Sequence, residues 1–212
     1  MGLFGKESET EEQIVKRLCS QAGHIIAMFR DVFNSPAGFD SRKAVIFTSS
    51  LAGFACHQAV KANREKVELV ELRDGRKYYF GDSVNKYLLE NSLSTVSLIA
   101  AVTDISTDEI REIVCKCANA VGDDRYTLGG YKPQLIYNET KDCWNGIFDN
   151  MTAKYCKMPS EWPILFGIVA QNIAQMAIDG GVPKGKIGKL AAEVMIYVSK
   201  LDDDSFLQPT MP

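Results

Sequence analysis

Two apolar runs carry the same pattern. Leu51-Ala52-Gly53-Phe54-Ala55-Cys56-His57-Gln58 and Leu165-Phe166-Gly167-Ile168-Val169-Ala170-Gln171-Asn172 each set a glycine in a helical run, with a polar pair four and five residues later. Positions i and i+4 share one helix face, so His57 lies a turn beyond Gly53 and Gln171 a turn beyond Gly167. Glycine costs a helix about 1 kcal/mol against alanine, but it removes the bulk that holds a neighbouring helix away. The pattern predicts two closely packed helices crossing near Gly53 and Gly167, an internal pseudo-repeat, and a polar contact at the centre of the fold. A chance likeness between two Ala- and Ile-rich helices is the alternative.

Helix signals dominate the rest of the chain. Ser8…Glu11 and Thr10…Gln13 are capping-box spacings that open a first helix, whose Ile14, Leu18, Ala22, Ile25 and Phe29 recur on one face. Asn34 to Gly38 ends it. A second helix, about Ser41 to Ala62, is apolar almost all round and is therefore expected at the centre. Helices near Asp82–Glu90 and Ser94–Thr103 follow, the first capped by Asp82. Ser106…Glu109 is a further capping box, ahead of a stripe of Ile110, Ile113, Val114 and Cys117. Helices over about Pro133–Lys154 and Glu161–Asp179 come next, the latter capped by Ser160. Gly180 to Pro183 breaks the chain before a last helix through Leu201. Asp202-Asp203-Asp204 and the Pro-ended tail read as solvated.

One segment reads as β. Val67 to Arg73 meets Arg76 to Phe80 across Asp74-Gly75, a dipeptide favoured in two-residue hairpin turns. Lone hairpins are marginal in water, so this one must lie against helices or pair with another chain. The expected fold is mainly α: a bundle-like domain of about seven or eight helices with one hairpin at about residues 67–80. Residues 1–212 form a single α-rich domain, or two halves, 8–121 and 133–201, joined by the glycine- and aspartate-rich segment 122–132.

Composition removes several function classes. Hydrophobic residues make up 46% and charged residues 24%, as in ordinary globular proteins. A net charge of −3 with scattered lysines and arginines offers no footprint for nucleic acid. The most apolar long segment, Ile164 to Ile178, is interrupted by Gln171, Asn172 and Gln175 and falls short of a membrane span. No signal peptide is expected at the N-terminus, and Lys6 stands where a myristoylation signal after Gly2 needs Ser or Thr. A cytoplasmic protein is the expectation. Six cysteines without a Cys-x-x-Cys spacing give neither a disulfide framework nor a zinc site, and read as reduced and buried.

Catalytic motifs fail on inspection. Gly180 to Lys186 fits Gly-x4-Gly-Lys, but Ile187 replaces the magnesium-binding hydroxyl and a helix precedes the loop instead of a strand. His24 and His57, the two histidines, lack His, Asp or Glu at i±3 or i±4, so no helical metal pair forms. Cys56 and His57 diverge by about 100° on a helix and make a poor dyad. Glu139, Asp142 and Asp149 share one helix face and read as a solvated acidic row. No metal or cofactor is expected.

Two function classes follow. The first is a non-catalytic cytosolic binding or regulatory protein acting through a protein partner or self-association, with an interface that includes Val67 to Phe80. The second is an enzyme or small-molecule binder with a pocket between helices. Candidate binding residues are His57, Gln171, Asp82 and Tyr79, with Cys56 nearby.

Overall fold

A computed structural model describes residues 9–206, so Ser8, the Gly2 segment and the Pro-ended tail lie outside the described residues. Helix α1, Glu11–Phe33, starts on a capping box: the Thr10 hydroxyl accepts from the Gln13 N–H, and the Gln13 side chain accepts from the Thr10 N–H. A two-residue ladder, β1 (Asn34–Ser35) with β2 (Gly38–Phe39), closes the following turn, an addition to the single expected hairpin. Helix α2 runs over Ser41–Ala62, the bounds read from sequence, and is buried along nearly all its length.

The hairpin follows as β3 (Glu68–Glu71) and β4 (Lys77–Phe80), paired antiparallel with Leu69 opposite Tyr79 and Val70 opposite Tyr78. Its turn is not the expected two-residue one. The Leu72 N–H donates to Arg76 O and the Gly75 N–H to Leu72 O, leaving the three-residue loop Arg73-Asp74-Gly75 with Gly75 at φ +84°. That left-handed position is why glycine stands there.

Helix α3, Asp82–Leu88, is capped by the Gly81 backbone without a side-chain bond, so Asp82 is the first helical residue and not the cap. Helix α4, Thr95–Ala100, takes Ser94 as its cap, and α5, Thr107–Asn119, has the Ser106–Glu109 capping box. Segment 122–132 is tied to its surroundings: Arg76 bonds Gly122 O, Arg42 bonds Gly129 O, and Leu128 is fully buried. Helices α6 (Pro133–Cys143) and α7 (Asp149–Tyr155) are continuous through a π-helical turn at Trp144–Phe148. The wider turn presents Trp144 and Phe148 to one aromatic cluster with Phe29, Phe54, Trp162 and Phe166.

Helix α8 spans Trp162–Asp179. Ser160 does not cap it, because a 3₁₀ turn at Pro159–Glu161 intervenes and Glu161 occupies the cap without a side-chain bond. The last helix, α9, is Lys184–Val198. Counting α6 to α7 as one, the described residues hold eight helices and a mainly α fold.

Packing places α2 at the centre, against α8 on one side and α9 on the other, with α1 and α4 on α8 and α5 on α9. The two glycine-bearing helices are neighbours, but the glycines do not face each other. A Cβ on Gly53 would run into the Met195 backbone oxygen on α9, whereas one on Gly167 would meet Leu98 and Thr95 of α4. Each glycine admits a different third helix.

Candidate functional site

The hairpin and the last residues of the chain form one structure. On β4, Tyr78 is buried, its hydroxyl donating to Ser205 O at 3.4 Å, and Ser205 Oγ donates to Lys77 O at 2.6 Å. The Tyr79 N–H donates to Lys200 O at 2.9 Å, so residues after α9 close the inner edge of β4. The Lys200 ammonium, itself buried, lies 4.3 Å from the centre of the Phe80 ring, and burial pushes its pKa down. Arg76 braces the turn, bonding Asp74, Asp124 and the Gly122 carbonyl.

Beneath Tyr79 lies a polar cluster. The rings of His57 and Tyr79 meet edge to face at 4.8 Å, and His57 is 1% exposed. His57 Nδ1 faces the Ser199 carbonyl at 3.3 Å, while Nε2 lies 3.7 Å from Asp202 Oδ2 and makes no hydrogen bond. Asp202 is shared: Lys61 donates to Oδ2 and the Tyr137 hydroxyl reaches Oδ1 at 3.3 Å. Burial pushes the Asp202 carboxyl up, but His57 and Lys61 outweigh it and hold it far below the usual carboxylate range. Asp203 takes Lys141 at 2.6 Å, and Asp204 takes Lys77 at 3.5 Å. Of the acidic run expected to be solvated, Asp203 and Asp204 keep exposed carboxylates while Asp202 is drawn in, and together they form a clasp bonded to α2, α6 and β4.

Of the four candidate residues, the structure brings His57 and Tyr79 together. Gln171 is bonded elsewhere, its Nε2 donating to Leu98 O at 2.9 Å, and Asp82 is exposed at the start of α3. Lys61 and Tyr137, absent from the sequence reading, and Asp202, read there only as part of a solvated acidic run, complete the cluster.

Cys56 and His57 do not form a hydrogen-bonded pair among the described residues. Cys56 Sγ donates to Ala52 O at 3.3 Å, away from the imidazole, and burial pushes its thiol up to about 12. No group of three His, Cys, Asp or Glu among the described residues is placed to hold a metal ion. Glu139, Asp142 and Asp149 are all exposed on their helices. A cleft of about 480 Å³ between α2, α5 and α9 carries Arg42, Lys116, Lys186 and Glu193, of which Lys116 and Glu193 neutralise each other at 2.7 Å.

Outside the clasp, the hairpin stands open. All four residues of β3 are exposed, Leu69 by 48% and Val70 by 42%. The bonded pair Leu72–Arg76 sets the phase of the ladder, so Val70 and Glu68 bond to β4 while Leu69 and Glu71 turn their N–H and C=O groups outward. Among the described residues those outward N–H groups have no backbone acceptor. Of the hairpin's apolar side chains, Tyr78 is buried by the chain itself and Tyr79 and Phe80 are half-buried, whereas Leu69 and Val70 are exposed. No helix among the described residues is long and apolar enough to cross a membrane. Comparison of the chain with family models, with curated proteins and with solved structures finds no match.

Proposed function

We propose that this is a non-catalytic binding protein of the cytoplasm that acts through protein–protein contact, with the hairpin as its contact element. One observation carries the reading: β3 presents two exposed apolar side chains and an open strand edge, while β4 behind it is anchored by Tyr78, Tyr79 and the clasp. An open edge flanked by apolar side chains is the template for strand addition by a partner. Rigid anchoring lowers the entropic cost of that addition, because the strand is already extended. The glutamates at positions 68 and 71 bracket Leu69-Val70 and keep the edge from pairing indiscriminately. Six free cysteines fit a reducing compartment.

Affinity purification from the native cell tests the reading, comparing the natural chain with the Leu69→Lys/Val70→Lys variant. A protein retained by the natural chain and lost by the variant supports it. Equal retention by both, or a specific metabolite found in a thermal-shift screen with no protein partner, overturns it.

A further inference from the structure

Resting on that reading of the hairpin, we infer that β3 pairs with β3 of a second copy, antiparallel and centred on Leu69, to make a continuous four-stranded sheet across a two-fold axis. The hydrogen-bond phase limits the registers. Residues that face outward must oppose residues that face outward, so an axis through the strand has to pass at a residue and not between two. Centring on Glu68 or Glu71 sets a glutamate against its own image, which is unfavourable for like charges directly opposite.

Centring on Leu69 avoids that clash. It sets Leu69 against Leu69 of the second copy, Glu68 against Val70, and Glu71 against Val67. Extended by two residues, it brings the exposed Arg73 toward Glu65, whose carboxylate already accepts from Lys86 at 2.7 Å and from the Tyr87 hydroxyl, so this opposite charge adds little. Inside β3 the bonding residues are Leu69 and Glu71 with the axis at either Leu69 or Val70, but Val67, just before the strand, meets Glu71 of the strand in the first register and Arg73 of the turn in the second, so it adds to the ladder only when the axis lies at Leu69. The apolar contact falls on the axis, where one side chain counts twice. Two short strand edges bury less than a standard interface, so the dimer forms only at high concentration.

Sedimentation velocity from roughly 10 μM to 1 mM, the range where a sub-standard interface dissociates, reads the association directly. The natural chain is expected to shift toward dimer as concentration rises, and Leu69→Lys, which sets two ammonium groups on the axis, to stay monomeric with an unchanged circular-dichroism spectrum. A second measurement fixes the register. In a Cys19→Ser/Cys115→Ser background, which removes the two exposed thiols, Leu69→Cys is expected to form disulfide-linked dimers at least ten times faster than Val70→Cys. A monomer at all concentrations, or cross-linking as fast from Val70→Cys, overturns the proposal. If the chain is monomeric yet Leu69→Lys abolishes capture of a different protein, self-pairing fails while the hairpin remains the contact element.

Discussion

Nε2 of His57 and Oδ2 of Asp202 lie 3.7 Å apart, joining the central helix to the residues that follow the last one. The pairing matters because Asp202 is also bonded by Lys61 and Tyr137, so one carboxylate holds α2, α6 and the clasp together. Asp202→Asn is expected to destabilise the fold by about 1–3 kcal/mol, the range for losing charge-assisted bonds to a largely buried group. The folded carboxyl titrates below its ordinary value. Its contribution is therefore complete above the unfolded pKa near 4 and is lost as pH falls below that point. Urea unfolding at pH 7 and pH 3 checks both: the gap between the natural chain and Asp202→Asn should narrow at pH 3. In the variant the Tyr79 N–H, bonded to Lys200 O, should exchange faster with deuterium.

Gly53 and Gly23 sit in helices yet predict opposite outcomes. A methyl at Gly53 would press on the Met195 backbone, which cannot turn aside, so Gly53→Ala should cost about 1–3 kcal/mol despite alanine's better helix propensity. Gly23, exposed in α1, has open space where its Cβ would be. There Gly23→Ala should stabilise by about 0.5–1 kcal/mol. Thermal melts of the two variants, compared with the natural chain, should move in opposite directions.

Local signals made most of the fold legible. Thr10 with Gln13 and Ser106 with Glu109 are reciprocal bonds three residues apart, so sequence spacing alone locates them. The bounds of α2 and the hairpin's position were readable for the same reason. What failed depends on partners distant in the chain. Gly53 announces a close approach but not that α9 makes it, and Asp202 looks like surface charge until His57 and Lys61 are brought to it. Asp74-Gly75 suits a two-residue or a three-residue loop, and the register of Leu72 with Arg76 decides. For the candidate site, Tyr79 and His57 were in view, whereas the open edge at Leu69 and Val70 appeared only once the body was seen to cover β4 and leave β3.

Thiol chemistry offers a quick check of burial. Burial pushes Cys56, Cys117 and Cys156 up to about 12, and raises Cys143 as well. Cys19 and Cys115 are exposed. Since the thiolate is the nucleophile, iodoacetamide at pH 8 should alkylate Cys19 and Cys115 first, and the remaining four should react at comparable rates only in denaturant. Peptide mass spectrometry after timed labelling distinguishes the sets; early alkylation of Cys56 or Cys117 would contradict the packing of α2 or α5.

Glu161 supplies the sharpest electrostatic test. It is 3% exposed, accepts from Arg17 at 2.7 and 3.2 Å in a two-pronged pair, and accepts the Lys157 N–H at 2.7 Å. Arg17 lies in mid α1 and also bonds Glu9 and the Tyr155 carbonyl, so this pair fastens α1 to the turn before α8. Removing the cation alone strands a buried carboxylate, which costs about 3–5 kcal/mol. Arg17→Met should therefore destabilise by that order. The double variant Arg17→Met/Glu161→Met leaves no buried charge behind, Glu9 keeping Lys157 at 2.7 Å, and should recover more than half of the loss, because two apolar side chains fill the space. Chemical denaturation of both single variants and the double gives the cycle. A double variant as unstable as Arg17→Met would mean that the guanidinium's packing, and not its pairing with Glu161, holds α1 in place.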